Sequence, residues 1–337
     1  MPVAQAAHGK VISMSIMRKS AGSSCGWARG LRSFLVACWV VGVRLGAADG
    51  PEPRLTVLTS FMPLYCFAVN VAGGLATVQN LLPGNVGPHD YQPVRSDFEK
   101  IRKADLLLVN GLKLEDWVFR MVKSRKGPKA LKVVEASEGF GEALIREVPA
   151  LHLDDAGGHA HSHAGDANPH VWLDPQLAIR MVTNVVRAFQ AADPANAHGY
   201  GSNGAVFIER LMAIDRDYRT RLASSAQVPF ITYHDAFVYL AKRYQLNAVG
   251  VIETTPEVAP SIKYQGALRR LIQKSSVRVI FAEPQFPKKI AQQLSADTGV
   301  PLAFLDTLET ADSKGLRPQA YEDAMRANLE VLTTHLK

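Results

Sequence analysis

The sequence predicts an α/β protein built from two (β/α) lobes, each with a parallel sheet, joined by one long linking helix. Short apolar runs alternate with stretches of helical periodicity, and this alternation occurs twice along the chain. One run, Leu106–Val109, is apolar throughout, which is typical of a parallel strand covered on both faces. A helix-like stretch over residues 194–224 separates the two series, so we expect it to connect the lobes.

The first series contains four predicted strands and the helices between them. The strands are predicted at Leu55–Thr59, Thr77–Leu82, Leu106–Val109 and Val133–Val134. A helix is expected to open within Phe61–Val69, and Ser96–Glu99 has the pattern of a capping box for another. Asp174 followed by Pro175 predicts an N-cap and the first turn of a further helix, which continues to Phe189.

The linking stretch has a single apolar stripe from Phe207 to Leu222, with charged residues on its other faces. Gly201 and Gly204 weaken the helix prediction locally, since each glycine costs about 1 kcal/mol relative to alanine. The second series then begins. Its strands are predicted at Pro229–Tyr233, Ala248–Ile252, Val277–Ala282 and Leu302–Leu305. Its helices are predicted at 237–244, Ser261–Ser275, 287–299 and 321–336.

The first 48 residues are predicted to be a secretory signal peptide. They contain six basic residues, no acidic residue, the apolar run Ser33–Val43 and small residues at Gly46–Ala48. The run is too short to span a bilayer, so we expect cleavage near Ala48 and a periplasmic or other extracytoplasmic location. Lipidation at Cys38 is an alternative, because Leu35–Cys38 resembles a lipoprotein cleavage box. The mature chain would then comprise an N-terminal lobe (49–193), the linking helix (194–224) and a C-terminal lobe (225–337).

The positive charge of the chain arises from this leader. The formal net charge is +7, and removing the leader's six basic residues from the total of 38 leaves 32, against 31 acidic residues. A nearly neutral body removes the charge argument for nucleic-acid binding. Only Cys66 would remain after cleavage, so we expect no internal disulfide.

Four histidines crowd a segment rich in glycine, alanine and aspartate, which we expect to be a surface loop. They are His152, His159, His161 and His163. Histidine-rich tracts often bind metal, so one hypothesis is a weak auxiliary site that collects or senses zinc. A solvated tract without function is the alternative.

Four further polar residues are expected where ligands bind in parallel α/β sheets, beyond the carboxyl ends of the strands. His89 follows the second strand, and His170 precedes the helix that starts at Asp174. His234 and Asp306 each follow a strand of the second lobe directly. Three imidazoles and one carboxylate, two from each lobe, make a plausible tetrahedral zinc site in the cleft between the lobes. Histidine-rich shells also suit copper and nickel, whereas manganese prefers more oxygen ligands.

The blocks around these residues resemble the metal-binding proteins that supply ABC importers, of the TroA-like, periplasmic zinc-uptake type. The resemblance covers about residues 54–336 in order, and the blocks that carry it are 82–111, Asn168–Pro175, Thr232–Phe237, Phe281–Gln285 and Leu305–Asp306. It implies two (β/α) lobes joined by one long helix and metal ligands at His89, His170, His234 and Asp306. The histidine at position 234 resembles the third metal ligand of the zinc-type members. Two departures are a histidine-rich loop that is short for that type, and the absence of cysteines for a disulfide found in some members.

The function that follows is capture of Zn²⁺ outside the cytoplasmic membrane and its delivery to an ABC-transporter permease, by a monomer without enzymatic activity. A manganese or iron carrier is the main alternative, and a secreted zinc hydrolase or an adhesin are others. Asp90, Asp235 and Glu283 are candidate partners that orient the imidazoles, although both aspartates could equally act as helix caps. Because imidazoles bind metal only when neutral, binding should weaken as the pH falls through roughly 6–7.

Overall fold

Eight short strands form two separate four-stranded parallel sheets in the computed structural model, which describes residues 54–89, 91–125, 130–146, 166–253, 260–312 and 314–337. The first sheet has the order β2-β1-β3-β4 and the second the order β6-β5-β7-β8. The strands are β1 (Thr56–Thr59), β2 (Thr77–Asn80), β3 (Leu106–Val109), β4 (Lys132–Glu135), β5 (Pro229–Thr232), β6 (Asn247–Val251), β7 (Val279–Ala282) and β8 (Leu302–Phe304). The two sheets therefore repeat one topology, and the predicted fold class is confirmed.

Nine helices accompany the strands within the described ranges. They are α1 (Met62–Ala72), α2 (Arg95–Lys103), α3 (Asp116–Lys123), α4 (Pro175–Ala192), α5 (Ala197–Arg221), α6 (Val238–Tyr244), α7 (Ile262–Lys274), α8 (Lys289–Thr298) and α9 (Ala320–His335). Helix α2 packs against α3 and α7 against α8, whereas α1 packs against α4 and α5. Covered in this way, the central strands β3 and β7 are buried at every position. No helix in the described part of the chain has the length and apolar character needed to cross a membrane.

The start of α2 differs from the prediction. The helix begins one residue before Ser96, and the capping side chain is that of Asp97, which accepts a hydrogen bond from the Val94 N–H at 2.9 Å. The same carboxylate accepts a hydrogen bond from the Tyr91 hydroxyl at 2.7 Å. Asp97 is thus the residue that fixes the chain as it leaves the loop containing His89.

The long helix α5 follows a short 3-10 helix at Pro194–Asn196 and has 25 residues, which corresponds to about 37 Å. Its apolar stripe is buried, and the Phe207 ring lies 5.9 Å from that of Phe67 on α1. Gly204 is also buried, and a Cβ at this position would collide with the Val186 side chain of α4. The glycine that weakened the sequence prediction therefore allows α4 and α5 to pack closely.

Polar side chains join the second lobe to α4 and α5. Asp174, the N-cap of α4, accepts hydrogen bonds from the Arg243 guanidinium of α6 at 2.9 Å. The Tyr244 hydroxyl of α6 donates to Asp215 of α5 at 2.8 Å, and Gln176 of α4 donates to the same carboxylate at 2.9 Å. Both carboxylates are buried, and a buried carboxylate that loses its partners is costly, so these contacts restrain movement of one lobe relative to the other.

We expect the stripe of α5 to contribute strongly to stability. Phe207→Ala should lower the free energy of unfolding by about 3–5 kcal/mol, because it leaves a cavity in the core. Val206→Ala is the matched control on the same helix, since Val206 is 60% exposed and its truncation should change little. Chemical denaturation of both variants measures the difference. Equal effects of the two substitutions would contradict the packing described for α5.

Candidate metal centre

Three histidines and one glutamate come together between the two lobes, and each is held by a different segment. His89 lies in the loop after β2, where the preceding carbonyl, that of Pro88, accepts a hydrogen bond from Trp117 Nε1 at 2.8 Å. His170 precedes the 3-10 helix Val171–Leu173 that leads into α4. His234 follows β5 and starts the 3-10 helix Asp235–Phe237. Glu309 lies in the loop between β8 and α9.

One ligand atom from each of these four residues lies within 4.8 Å of the others. The Oε1 atom of Glu309 is 3.0 Å from His170 Nε2, 3.3 Å from His89 Nε2 and 3.8 Å from His234 Nε2. The two Nε2 atoms of His170 and His234 are 3.2 Å apart. In a tetrahedral zinc site with Zn–N bonds near 2.0–2.1 Å, ligand atoms stand about 3.3–3.4 Å apart. The spacing and the donor types therefore fit a tetrahedral divalent ion.

Burial and neighbouring charge set the protonation of the cluster. His170, His234 and Glu309 each have side chains that are 2% exposed, while that of His89 is 21% exposed. Burial lowers the pKa of His170 to about 4, despite its hydrogen bond to Glu309. Burial alone would also lower the pKa of His234, but the Glu283 carboxylate raises it to about 9. Burial opposes ionisation of Glu309, yet His89 and His170 hold the pKa of its carboxyl well below its usual range.

The far sides of two imidazoles are fixed by acceptors. His234 Nδ1 donates to Glu283 Oε1 at 2.7 Å, and His170 Nδ1 donates to Asn168 Oδ1 at 2.9 Å. A proton on Nδ1 leaves the Nε2 atom of a neutral imidazole with a lone pair that can bind metal. His234 Nε2 lies 3.2 Å from His170 Nε2, a separation at which a proton or a metal ion is needed between the two nitrogens.

The carboxylate in this cluster is Glu309, whereas the sequence pointed to Asp306. Asp306 Oδ1 instead accepts a hydrogen bond from the Leu308 N–H at 2.7 Å, which is the local turn that aspartate favours. Leu308 has a positive φ of 63°, and this left-handed residue turns the chain immediately before Glu309. Proximity to the strand end favoured Asp306 in the sequence. The sequence also contains a glutamate, Glu309, three residues after Asp306. This second carboxylate was the signal that could have suggested Glu309 as the alternative.

The loop that carries Glu309 is anchored to the first lobe. Trp172, fully buried beside His170, donates from Nε1 to the Thr307 carbonyl at 2.8 Å. The Trp172 carbonyl accepts a hydrogen bond from the Tyr321 hydroxyl of α9 at 2.6 Å. The indole ring also packs edge-on against Phe61, with ring centroids 4.8 Å apart. Trp172 thus holds His170 and the Glu309 loop at a fixed separation.

The predicted partners of the imidazoles and the histidines of the loop remain to be placed. Glu283 contacts His234 as described, and Asp235 contributes its backbone carbonyl, which accepts a hydrogen bond from Asn168. Asp90 lies outside the described residues, as do the loop histidines His152, His159, His161 and His163. Asn168 is a site residue whose role the sequence analysis missed.

A cavity of about 670 Å³ opens beside the cluster. His89 and Glu309 form part of its wall, and Tyr233, Glu253 and Phe286 line it further out. The Tyr233 and Phe286 rings stack with centroids 5.2 Å apart, and the Tyr233 hydroxyl donates to Glu253 at 2.6 Å. This cavity gives an ion access to the exposed side of the cluster at His89.

Comparison with known proteins identifies the family. Residues 57–335 match the family described as zinc-uptake complex component A, periplasmic (ZnuA). This chain belongs to that family. It is 35% identical over 295 residues to the high-affinity zinc uptake system protein ZnuA of Bacillus subtilis, with 86% of this chain and 90% of the relative covered. It is 33% identical over 293 residues to the zinc-binding protein AdcA of Streptococcus pyogenes. That match covers 83% of this chain and 56% of AdcA, so the ZnuA-family chain spans about half the length of this relative.

Solved structures of substrate-binding proteins are similar to this ZnuA-family chain. The protein FpvC of Pseudomonas aeruginosa, in complex with Mn²⁺, superposes with a TM-score of 0.72 at 27% identity, covering 84% of this chain and 98% of FpvC. A Zn(II)-bound variant of AdcAII from Streptococcus pneumoniae superposes with a TM-score of 0.71 at 29% identity, covering 85% of this chain and all of AdcAII.

The two carboxylates of the 306–309 loop give a direct test of the ligand set. Loss of a residue that only orients a metal ligand lowers metal affinity by roughly 10–100-fold. Glu309→Gln should lower zinc affinity by more than this, because it removes a charged ligand. Asp306→Asn should leave zinc affinity within a few-fold of wild type, because its Oδ1 can still accept from Leu308. Competition titration against a chelator measures both, and thermal unfolding of the metal-free proteins checks their folding. A larger loss in Asp306→Asn would contradict the assignment of Glu309.

Proposed function

We propose that this protein captures Zn²⁺ outside the cytoplasmic membrane and delivers it to the permease of an ABC importer. The observation that carries the proposal is the cluster of three imidazole nitrogens and one carboxylate oxygen, whose ligand atoms lie within 4.8 Å of one another. Its donor set suits zinc, and membership of the zinc-uptake family supports the same function. The ligands we propose are His89, His170, His234 and Glu309.

The choice between zinc and manganese rests on donor type and number. Manganese favours oxygen ligands and octahedral coordination, whereas this cluster offers three nitrogens and has 3.0–3.8 Å between the ligand atoms nearest one another. A manganese carrier remains the second candidate, because the similar protein FpvC was solved with Mn²⁺ and also with Ni²⁺. A zinc carrier should bind Zn²⁺ more tightly than Mn²⁺, whereas a manganese carrier should show the opposite order.

We propose a transport role without catalysis. A catalytic zinc keeps one position open for water and needs a general base beside it. Here four protein groups converge on one point, and the buried carboxylate of Glu283 is hydrogen-bonded to the far side of His234. An added role as an adhesin has no observation in its favour on the described surface.

For location and domain organisation we propose what the sequence predicts. We propose a leader at 1–48 that directs export, with lipidation at Cys38 as the alternative form of anchoring. The lobes then occupy 49–193 and 225–337, with the link at 194–224. We propose that the mature protein is a monomer that presents both lobes to the permease and does not bind nucleic acid, because its body is nearly neutral.

The test of this function is a titration of metal-free protein with Zn²⁺ and Mn²⁺. We expect zinc to bind at least about 100-fold more tightly, a difference of about 2.7 kcal/mol. His234→Ala should abolish the tight site, whereas His198→Ala, which removes an exposed imidazole from α5, should leave it unchanged. Tighter manganese binding would favour the second candidate. Zinc binding that is indifferent to His234 would contradict the proposed site.

The pH dependence of zinc binding follows from His234. Its pKa of about 9 means that the imidazole is protonated at pH 7.5, so zinc must displace a proton from it, whereas His170, with a pKa of about 4, is already neutral. Above the range of roughly 6–7 expected from ordinary imidazoles, the logarithm of the apparent association constant should therefore still rise by about one per pH unit, up to about pH 9, and then level off.

Calorimetry in buffers of different ionisation enthalpy measures the proton released with zinc. We expect about one proton at pH 7.5 from His234. Glu283→Gln should reduce this release, because it removes the charge that raises the pKa of His234. No release by the wild-type protein at pH 7.5, together with a flat profile between pH 7 and 9, would contradict the protonation described here.

A further inference from the structure

Asn168 makes hydrogen bonds through every polar atom it has. Its Oδ1 accepts from the His170 N–H at 3.1 Å and from His170 Nδ1 at 2.9 Å. Its Nδ2 donates to the Asp235 carbonyl at 3.1 Å. Its backbone carbonyl accepts from the Tyr239 hydroxyl at 2.7 Å, and its N–H donates to the Ile145 carbonyl at 2.7 Å.

These contacts determine which way the amide faces. The oxygen must lie toward the His170 N–H, because that group can only donate, and the NH₂ must lie toward the Asp235 carbonyl, because that group can only accept. With Oδ1 fixed as an acceptor, the proton of a neutral His170 imidazole lies on Nδ1. Its Nε2 atom is then left to face the cluster.

The same side chain reaches both lobes. His170 belongs to the segment that leads into α4, and Asp235 is the residue next to His234 at the end of β5. The planar Asn168 amide therefore connects the backbone of Asp235, which is next to His234, to the imidazole of His170. The Glu283 carboxylate, by comparison, contacts His234 through its Nδ1 and its backbone N–H. The 3.2 Å separation of the two Nε2 atoms thus depends on where Asn168 is held.

Tyr239 holds Asn168 in place. This residue of α6 is 2% exposed, and its hydroxyl accepts from the Ile145 N–H at 3.0 Å while donating to the Asn168 carbonyl. With the bond from the Asn168 N–H to the Ile145 carbonyl, the hydroxyl closes a ring of three hydrogen bonds. A buried ring with all of its members satisfied is rigid, so Asn168 has little freedom to shift.

We propose that Asn168 is a positioning residue for the metal: it fixes the tautomer of His170 and holds this imidazole in register with His234 across the two lobes. This inference rests on the proposed function, since it concerns the same ligands. Asn168 itself contributes no atom to the cluster. It acts by keeping two nitrogens at a spacing that suits one small ion.

The experiment compares zinc affinity in the full-length wild-type protein with that in Asn168→Ala, Asn168→Asp and Asn184→Ala. Asn168→Ala should lower zinc affinity about 10–100-fold, the usual cost of losing a partner that orients a ligand. Asn168→Asp keeps an oxygen acceptor for His170 but loses the donor to Asp235, so its affinity should fall between those of wild type and Asn168→Ala. Asn184→Ala is the matched control, because Asn184 donates to the carbonyls of Ala136 and Glu138 away from the cluster. Its zinc affinity should equal that of wild type.

A second measurement separates positioning from general stability. Long-range ¹⁵N–¹H spectra of the metal-free proteins report which nitrogen of His170 carries the proton. We expect the Nδ1–H form in wild type and Asn168→Asp, and a mixture of both forms in Asn168→Ala. If Asn168→Ala does not fold, Tyr239→Phe replaces it, because it removes only the hydroxyl that holds the Asn168 carbonyl and should weaken zinc binding several-fold.

The outcomes are distinguishable. Wild-type zinc affinity in Asn168→Ala, or an unchanged His170 tautomer in that variant, overturns the positioning role while the zinc-carrier function stands. Equal losses of zinc affinity in Asn168→Ala and Asn184→Ala also overturn it, since they point to general destabilisation. Failure of the wild-type protein to bind zinc overturns the proposed function itself.

Discussion

The candidate metal centre depends on one contact: the Nε2 atoms of two buried imidazoles, His170 and His234, lie 3.2 Å apart. Their Nδ1 atoms are already committed to Asn168 and Glu283, so both Nε2 lone pairs face the same point. If both imidazoles were neutral with their protons on Nδ1, the two lone pairs would repel each other, so a proton or a metal ion is needed between them. The carboxylate of Glu309 adds negative charge at that point, and the arrangement therefore selects a cation.

Holding these nitrogens together requires that the two lobes be fixed relative to one another, and several elements serve this purpose. The long helix α5 buries its apolar stripe against α1 and α4, and α9 returns from the second lobe to pack on α1 and α5. The Asp174–Arg243 pair and the Trp172–Thr307 hydrogen bond join the lobes close to His170. A site preorganised in this way loses little free energy to reorganisation when the ion binds, which favours tight capture.

Much of this architecture could be predicted from the sequence, because buried parallel strands such as Leu106–Val109 leave uninterrupted apolar runs and helices leave a period of 3.6 residues. Helix α3 (Asp116–Lys123) was not predicted, since eight residues are too few to establish that period. The three histidines lie at strand or helix ends that the sequence locates, and the structure brings them together. The sequence placed Asp306 in the cluster, whereas the structure places Glu309 there, because the chain makes a left-handed turn at Leu308 that the sequence does not reveal. Asn168 appears in the sequence beside His170, but its link to Asp235 exists only in the folded chain.

Diffraction from crystals of the zinc-loaded protein, collected on both sides of the zinc absorption edge, would locate the ion among its ligands. We expect one strong anomalous peak at about 2.0–2.1 Å from the Nε2 atoms of His89, His170 and His234 and at a similar distance from a Glu309 carboxylate oxygen. A zinc ion bonded to Asp306 instead of Glu309, or an ion surrounded by six ligands that include several waters, would contradict it.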